Sequence, residues 1–209
     1  MKVIDFPQGS PEWLASRAGM VTASRISDVQ AKIKTGEAAS RRDYKFQIVA
    51  EILSGVPQEN GFMNDAMRYG TEQEPFARAA YEMLTEQMVQ EVGLVIHPTI
   101  ERAAASPDGL VGDSGLVEIK CPKLATHLNY LLDGVVPSTY QNQMLWQMAC
   151  CERAYCDFVS FRPDLPGDLQ VFKIRFDRDN DRIKAMEDEV VAFLAEVDSI
   201  LLKLRGMGK

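Results

Sequence analysis

Helical spacing through the first third of the chain, short apolar runs parted by Pro and Gly in the middle, and a long amphipathic stretch at the end predict an α/β (α+β) fold, a central mixed sheet flanked by helices with a helical N-terminal region. Ser10 can cap a first helix that takes Pro11 at its opening position and stops at Gly19. A second helix is expected to follow Thr22 to Ser24 and run to about Lys34, with Ile26, Val29 and Ile33 on one face. Ser40 can cap a third, whose Tyr44, Ile48, Val49, Ile52 and Leu53 recur at helical spacing before Gly55 ends it. A fourth spans Asp65 to Glu86. After Gln87 the period shortens, and Val89 to His97, Arg102 to Ala105, Gly109 to Val111 and Leu116 to Cys121 read as strands of one sheet. Helices over Ala125 to Leu132 and Ser138 to Cys151 follow, the latter with Pro137 just before a Ser cap. Tyr155 to Phe161 and Leu169 to Phe176 make a further strand pair, and Asp179 to Leu204 a closing helix.

At 209 residues and 46% hydrophobic content, the chain can bury one substantial core, and residues 1–209 are read as a single domain. No apolar stretch approaches the ~20 residues that span a bilayer, and Met1 to Pro7 lacks the features of a secretory signal, so a soluble, cytoplasmic protein with no membrane partner is expected. Cys121, Cys150, Cys151 and Cys156 make a poor disulfide framework and are read as reduced, buried thiols. His97 and His127 accompany no zinc spacing. The net charge of −7 argues against a nucleic-acid partner, because phosphate binding rests on Lys and Arg. Its distribution does not: residues 1–50 hold eight Lys or Arg against five acids, a local +3, which leaves −10 for the rest.

The chemistry concentrates in Ser106-Pro-Asp-Gly-Leu-Val-Gly-Asp-Ser-Gly-Leu-Val-Glu-Ile-Lys-Cys-Pro122. Glu118 and Lys120 lie two apart on an expected strand and so share a face, with Ile119 on the other. A hairpin turning at Gly112 to Gly115 brings Asp108 beside them. Two converging carboxylates repel unless compensated, and a hard divalent cation with oxygen ligands, Mg²⁺ or Mn²⁺, compensates them. Beside such an ion Lys120 can orient or help deprotonate a water, or steady a phosphate, which is the equipment of phosphodiester hydrolysis. An isolated Glu-x-Lys would read as a solvated surface pair worth ~0 to 1 kcal/mol.

This segment resembles the Pro-Asp…Glu-x-Lys nuclease superfamily, and the chain is similar within it to the phage lambda exonuclease family of viral recombination nucleases. Trp13-Leu-Ala-Ser-Arg17 with Val21-Thr-Ala-Ser24, then Tyr69-Gly-Thr-Glu-Gln-Glu74, then Ser106 to Pro122, then Tyr140-Gln-Asn-Gln143 stand in that family's order. The resemblance implies a restriction-endonuclease-like core. It implies Asp108, Glu118 and the main-chain carbonyl of Ile119 as metal ligands, Lys120 acting on the attacking water, and Gln143 lining the site. It further implies Glu74, rather than Glu72, as a helical carboxylate touching a metal-bound water or a second ion, with two ions per active site. Arg17, Ser24 and Ser106 would surround a 5′-terminal phosphate. The implied activity is a Mg²⁺-dependent 5′ to 3′ exonuclease acting on double-stranded DNA ends, which leaves 3′ single strands for a single-strand annealing protein in phage-type recombination. The implied assembly is a homotrimer ring around DNA, in a bacterial host and phage- or prophage-encoded. Lys34, Glu37 and Ala38 depart from the basic loop of the lambda enzyme, which puts groove contacts there in doubt. Two other readings stay open: a structure-selective or restriction-type endonuclease, and a catalytically silent DNA-binding scaffold.

Overall fold

The structure is a computed structural model that describes residues 1–58 and 65–207. It begins with β1 (Lys2–Ile4), α1 (Pro11–Arg17), β2 (Val21–Thr22), a 3₁₀ turn over Ala23–Arg25, α2 (Ile26–Val29), α3 (Ala39–Ser54) and α4 (Asp65–Thr85). Strands β3 (Val89–Gln90), β4 (Leu94–Ile96), β5 (Ala103–Ala105), β6 (Gly109–Val111) and β7 (Gly115–Lys120) follow. Then come α5 (Leu124–Asp133), α6 (Ser138–Cys151), β8 (Tyr155–Phe161), β9 (Val171–Asp177) and α7 (Asn180–Met207).

The expected single sheet is two. One has the order β1-β4-β5-β2, the other β3-β6-β7-β8-β9, and both are mixed, with β2–β5 and β7–β8 parallel. From β3 onward the chain crosses between them twice: the expected run Val89 to His97 breaks into β3 of the second sheet and β4 of the first, and at Ser106-Pro107-Asp108 the chain leaves the first sheet after Ala105 and enters the second at Gly109. Pro107 has no N–H to give to a ladder, so pairing breaks there.

The five-stranded sheet is covered on both faces. Leu116 and Phe158 pack into the main core with Met144, Leu145 and Met148 of α6 and Val190, Phe193 and Val197 of α7. Val117, Ile119 and Val159 turn the other way, onto Ala77 and Tyr81 of α4. Residues Met144 through Cys151 are all buried, so the C-terminal half of α6 is enclosed on every side, as its apolar run broken only by Gln147 requires. Cys150, Cys151 and Cys156 are free thiols inside this core, and Cys121 is half-buried and free. His97 stacks on Trp146 at 5.2 Å, and buried His127 lies 2.7 Å from Ser160 Oγ.

Boundaries differ in places. The second helix ends at Val29, with Ile33 56% exposed, because Gln30 and Lys32 reach across to Glu189 of α7 at 2.7 and 2.6 Å and a tertiary tie replaces the next turn. Neither Ser40 nor Ser138 caps: Ala38 and Pro137 hold the cap positions of α3 and α6. Ser10 does cap α1, accepting from the Trp13 N–H at 3.2 Å.

Glu51 near the end of α3 is buried and accepts from the Gly19 N–H at 2.8 Å, which ties the α1–β2 turn to α3. Gly19 itself has φ +78°, and a Cβ there would lie 2.7 Å from Ile52 Cγ1. Gly19→Ala is therefore expected to cost about 1–3 kcal/mol, read as a lower urea midpoint at unchanged slope; a loss below about 0.5 kcal/mol would show that the turn relaxes freely.

Candidate active site

Pairing of Gly109 with Val117 and of Val111 with Gly115 builds the β6–β7 hairpin, and one step further along this register sets Asp108 against Glu118. Two glycines let residues of the flanking strands β3 and β8 close on the hairpin. A Cβ on Gly109 would meet Val89 Cγ1 at 2.1 Å, and one on Gly115 the Tyr155 ring at 2.4 Å. Asp108 Oδ2 accepts from the Ile119 N–H at 2.6 Å, so the carboxylate bridges from the start of one strand to the end of the other.

Glu118 is fully buried on the strand between β6 and β8. Its Oε1 accepts from Gln143 Nε2 at 2.7 Å and pairs with the Lys120 ammonium, and its Oε2 accepts from Gln147 Nε2 at 2.6 Å. Lys120 Nζ also stands 5.3 Å from the centroid of the Tyr140 ring. Tyr140, Gln143 and Gln147 follow i, i+3, i+7 spacing, so one stripe of α6 serves both charges. Burial works against the Lys120 ammonium, yet Glu118 and Asp108 together outweigh it and hold the group well above the ordinary lysine range. Burial, then the Glu118 carboxylate, push the Asp108 carboxyl up to about 8, with Lys120 pulling only partly back.

Asp108 stands where two clefts meet. One, of about 730 Å³, is lined among others by Tyr69, Glu74, Lys120, Tyr140 and Arg162; the other, of about 1010 Å³, by Phe6, Trp13, Glu74 and Arg78. Glu74 on α4 faces both, bonded to Arg78 at 2.7 Å, while Glu72 is exposed and lines neither. Burial raises the Glu74 carboxyl above its ordinary range, with Arg78 and Lys120 opposing. Pro75, immediately after Glu74, withholds a helical N–H from the Thr71 carbonyl, and Thr71 also lines both clefts.

A third, smaller pocket of about 110 Å³ gathers Arg17, Ser24, Ser106 and Gln143, with Gln8 and Trp13. The parallel register of Thr22 with Ala104 explains it: both strands end on the same side, and two residues further on come Ser24 and Ser106. Trp13 and Arg17 share a face of α1, with the Arg17 guanidinium 4.2 Å over the indole ring. Trp13 Nε1 donates to Ser106 Oγ at 3.0 Å, and Gln8 Nε2 donates to the carbonyls of Val92 and Pro107 at 2.9 and 2.8 Å. Gln143 joins this pocket to Glu118.

Eight of the nine sequence-derived positions line this region: Asp108, Ile119, Lys120 and Glu74 in the clefts, and Arg17, Ser24, Ser106 and Gln143 in the small pocket; Glu118, fully buried, lies behind them and is reached through Gln143 and Lys120. Sequence reasoning passed over Gln147, which helical spacing from Gln143 could have shown. It also missed Gln8 and Arg162, for which no local pattern gives a signal.

A family model described as "YqaJ-like viral recombinase domain" matches residues 12–154. The crystal structure of an alkaline exonuclease, LHK-Exo, from Laribacter hongkongensis is 46% identical, with TM-score 0.86 over 95% of this chain and 98% of that one. LHK-Exo in complex with dAMP gives TM-score 0.88 at the same identity and coverage. A phage-related exonuclease from Haemophilus somnus, 15% identical with TM-score 0.71 over 88% of this chain and 96% of that chain, shares the fold. An uncharacterised protein of Acanthamoeba polyphaga mimivirus is 30% identical over 181 residues, 78% of this chain, and the chain spans only 30% of that relative's length. With the matched stretch enclosing Arg17, Ser24, Glu74, Ser106, the Asp108 to Lys120 hairpin and Gln143, the chain belongs to the family of YqaJ-like viral recombinase domains.

Proposed function

We propose that this chain is a Mg²⁺- or Mn²⁺-dependent deoxyribonuclease that digests duplex DNA from 5′-phosphorylated ends, 5′ to 3′, and leaves 3′ single strands for a recombination partner that anneals them. The observation that carries the reading is the grouping of Lys120 and buried Glu118 beside Asp108, which stands at the meeting of two clefts, with Arg17, Ser24 and Ser106 in a separate pocket of about 110 Å³ joined to Glu118 by Gln143. The 46% identity to an alkaline exonuclease over nearly the whole of both chains supports it.

The donor set suits a hard cation. Asp108 and Glu118 set two carboxyls against one Lys120 ammonium, and burial, then the Glu118 charge, push the Asp108 carboxyl up, a cost that a bound cation would relieve. Among the described residues no three acidic, imidazole or thiol side chains close on one point, so the Ile119 carbonyl and water oxygens would complete the coordination of Asp108 and Glu118, with Glu74 on the opposite wall suited to a water or a second ion. When bound, such an ion supplies a Lewis acid and a water of lowered pKa. Lys120, a charged ammonium, donates to water or phosphate oxygens, Gln143 and Gln147 hold Glu118 in place, and Arg17 forks onto a terminal phosphate that Ser24 and Ser106 complete. An end-phosphate pocket beside the acids favours exonuclease over endonuclease action. A ring of three copies with the +3 N-terminal region towards its channel would hold DNA despite the net charge of −7. No helix among the described residues is long and apolar enough to cross a membrane.

Linear DNA labelled separately at each end tests the activity: Mg²⁺ should release 5′-terminal label first, and covalently closed circles should survive. Asp108→Ala and Lys120→Ala should each lower turnover by roughly 10²-fold or more while DNA affinity holds, and equal cutting of circles would remove the exonuclease reading. Arg17→Ala should abolish discrimination between 5′-phosphate and 5′-hydroxyl ends; equal digestion of the two by the unaltered protein would empty the pocket of its role. The pH response has a definite sign. Asp108 is raised from the ordinary carboxylate range to about 8, so between those limits the metal-free folded state holds a proton that the unfolded chain has lost, and stability falls as pH rises through the window. Thermal melts should show this fall between pH 6 and 9, Mg²⁺ or Mn²⁺ reversing it most at high pH, and Asp108→Asn insensitive to both; a metal response equal in that variant would contradict the assignment.

A further inference from the structure

The larger roles of the cleft beyond Lys120 are not used by the chemistry above. We infer that Tyr69 and Arg162 form a base-stacking subsite for the second nucleotide of the digested strand, an inference that rests on the proposed nuclease reading. Both residues line the cleft of about 730 Å³, with the Arg162 guanidinium 5.3 Å over the Tyr69 ring. All three guanidinium nitrogens are already bonded: Nε and Nη2 to Asp164 at 2.8 and 2.6 Å, Nη1 to the Pro122 carbonyl at 3.2 Å. A guanidinium so held is poorly placed to fork onto a phosphate; it braces the Tyr69 ring instead, and a braced ring in the cleft wall is of the kind on which any base can stack.

The layout fixes which base. The small pocket with Arg17 shares Gln8 and Trp13 with the cleft of about 1010 Å³ and no residue with the Tyr69 cleft, while Asp108 lies on the boundary between the two clefts. A strand whose end phosphate sits by Arg17 therefore keeps its first nucleotide on the Trp13 side, presents its next phosphate at Asp108, and passes its second base to Tyr69.

The test is equilibrium binding, by fluorescence anisotropy in EDTA, of 5′-phosphorylated single strands that carry one abasic nucleotide at the first, second or third position. Tyr69→Ala should weaken binding of the intact strand roughly tenfold, the loss of one stacked base, and Tyr69→Phe and Tyr69→Trp should retain it. An abasic second position should cost the unaltered protein the same factor and cost Tyr69→Ala nothing more, whereas abasic first or third positions should leave the variant's deficit in place. The salt dependence should be unchanged, since no phosphate contact is lost. Intact binding by Tyr69→Ala, or losses that add at every position, would overturn the subsite. Digestion of linear duplex in Mg²⁺, measured alongside, separates the two ideas: coupling without digestion removes the nuclease reading, and digestion without coupling removes only the subsite.

Discussion

A carboxylate at the middle of a sheet, with no exposed surface, is the constraint around which this fold is arranged. Taking the Glu118 charge out of water costs several kcal/mol unless hydrogen bonds and a counter-charge answer it. They come from two directions: Lys120 two residues along the same strand, and Gln143 with Gln147 on α6. For those amides to reach, α6 must pass close to Glu118, which is why its buried half, otherwise Met, Leu, Trp, Ala and Cys, carries Gln147 one turn beyond Gln143. The arrangement has its own cost. Gln147 Oε1 and Trp146 Nε1 are buried without a hydrogen-bond partner, so the donors that serve Glu118 are bought with unsatisfied atoms next to them.

The opposite face of the same sheet is fixed by ordinary packing. Ile119 and Val117 bury against Ala77 and Tyr81 of α4, and the Tyr81 hydroxyl donates to buried Asp157 at 2.9 Å. Two turns earlier on that helix stands Glu74. Alternation along a single strand therefore does two jobs: even positions carry charge towards α6, and odd positions anchor the helix that brings a further carboxylate to the cleft. Arg41 and Lys45 of α3, paired with Glu37 and with Glu196 of α7 at 2.5 to 2.8 Å, lock the outer helices by a separate network that touches none of this.

What the sequence makes legible follows the range of the forces involved. Long periodic helices and the hairpin holding Asp108, Glu118 and Lys120 are local, and they stand where periodicity and turn chemistry set them. Strand partnership is not local. Nothing in Ala103–Ala105 or Gly109–Val111 says that they belong to different sheets, and β1 and β2, at three and two residues, are shorter than any pattern can register. The helix expected as far as Lys34 stops early because Glu189, some 157 residues away, offers Lys32 a better partner than another turn would. Gln8, Gln147 and Arg162 escape notice for the same reason: each is defined by what lies across from it, at Pro107, Glu118 and Tyr69.

The short connection between the sheets carries a metric consequence. Ser106 and Asp108 are held at opposite ends of Pro107, whose ring stiffens the step and whose carbonyl Gln8 clamps. Two residues of chain reach at most about 7 Å, a span comparable to the advance from one phosphodiester to its neighbour along a strand. In the function proposed, a terminal phosphate seated by Ser106 and a bond presented at Asp108 would be separated by one rigid unit, so the backbone itself would act as a ruler and set the size of the fragment released on each cycle.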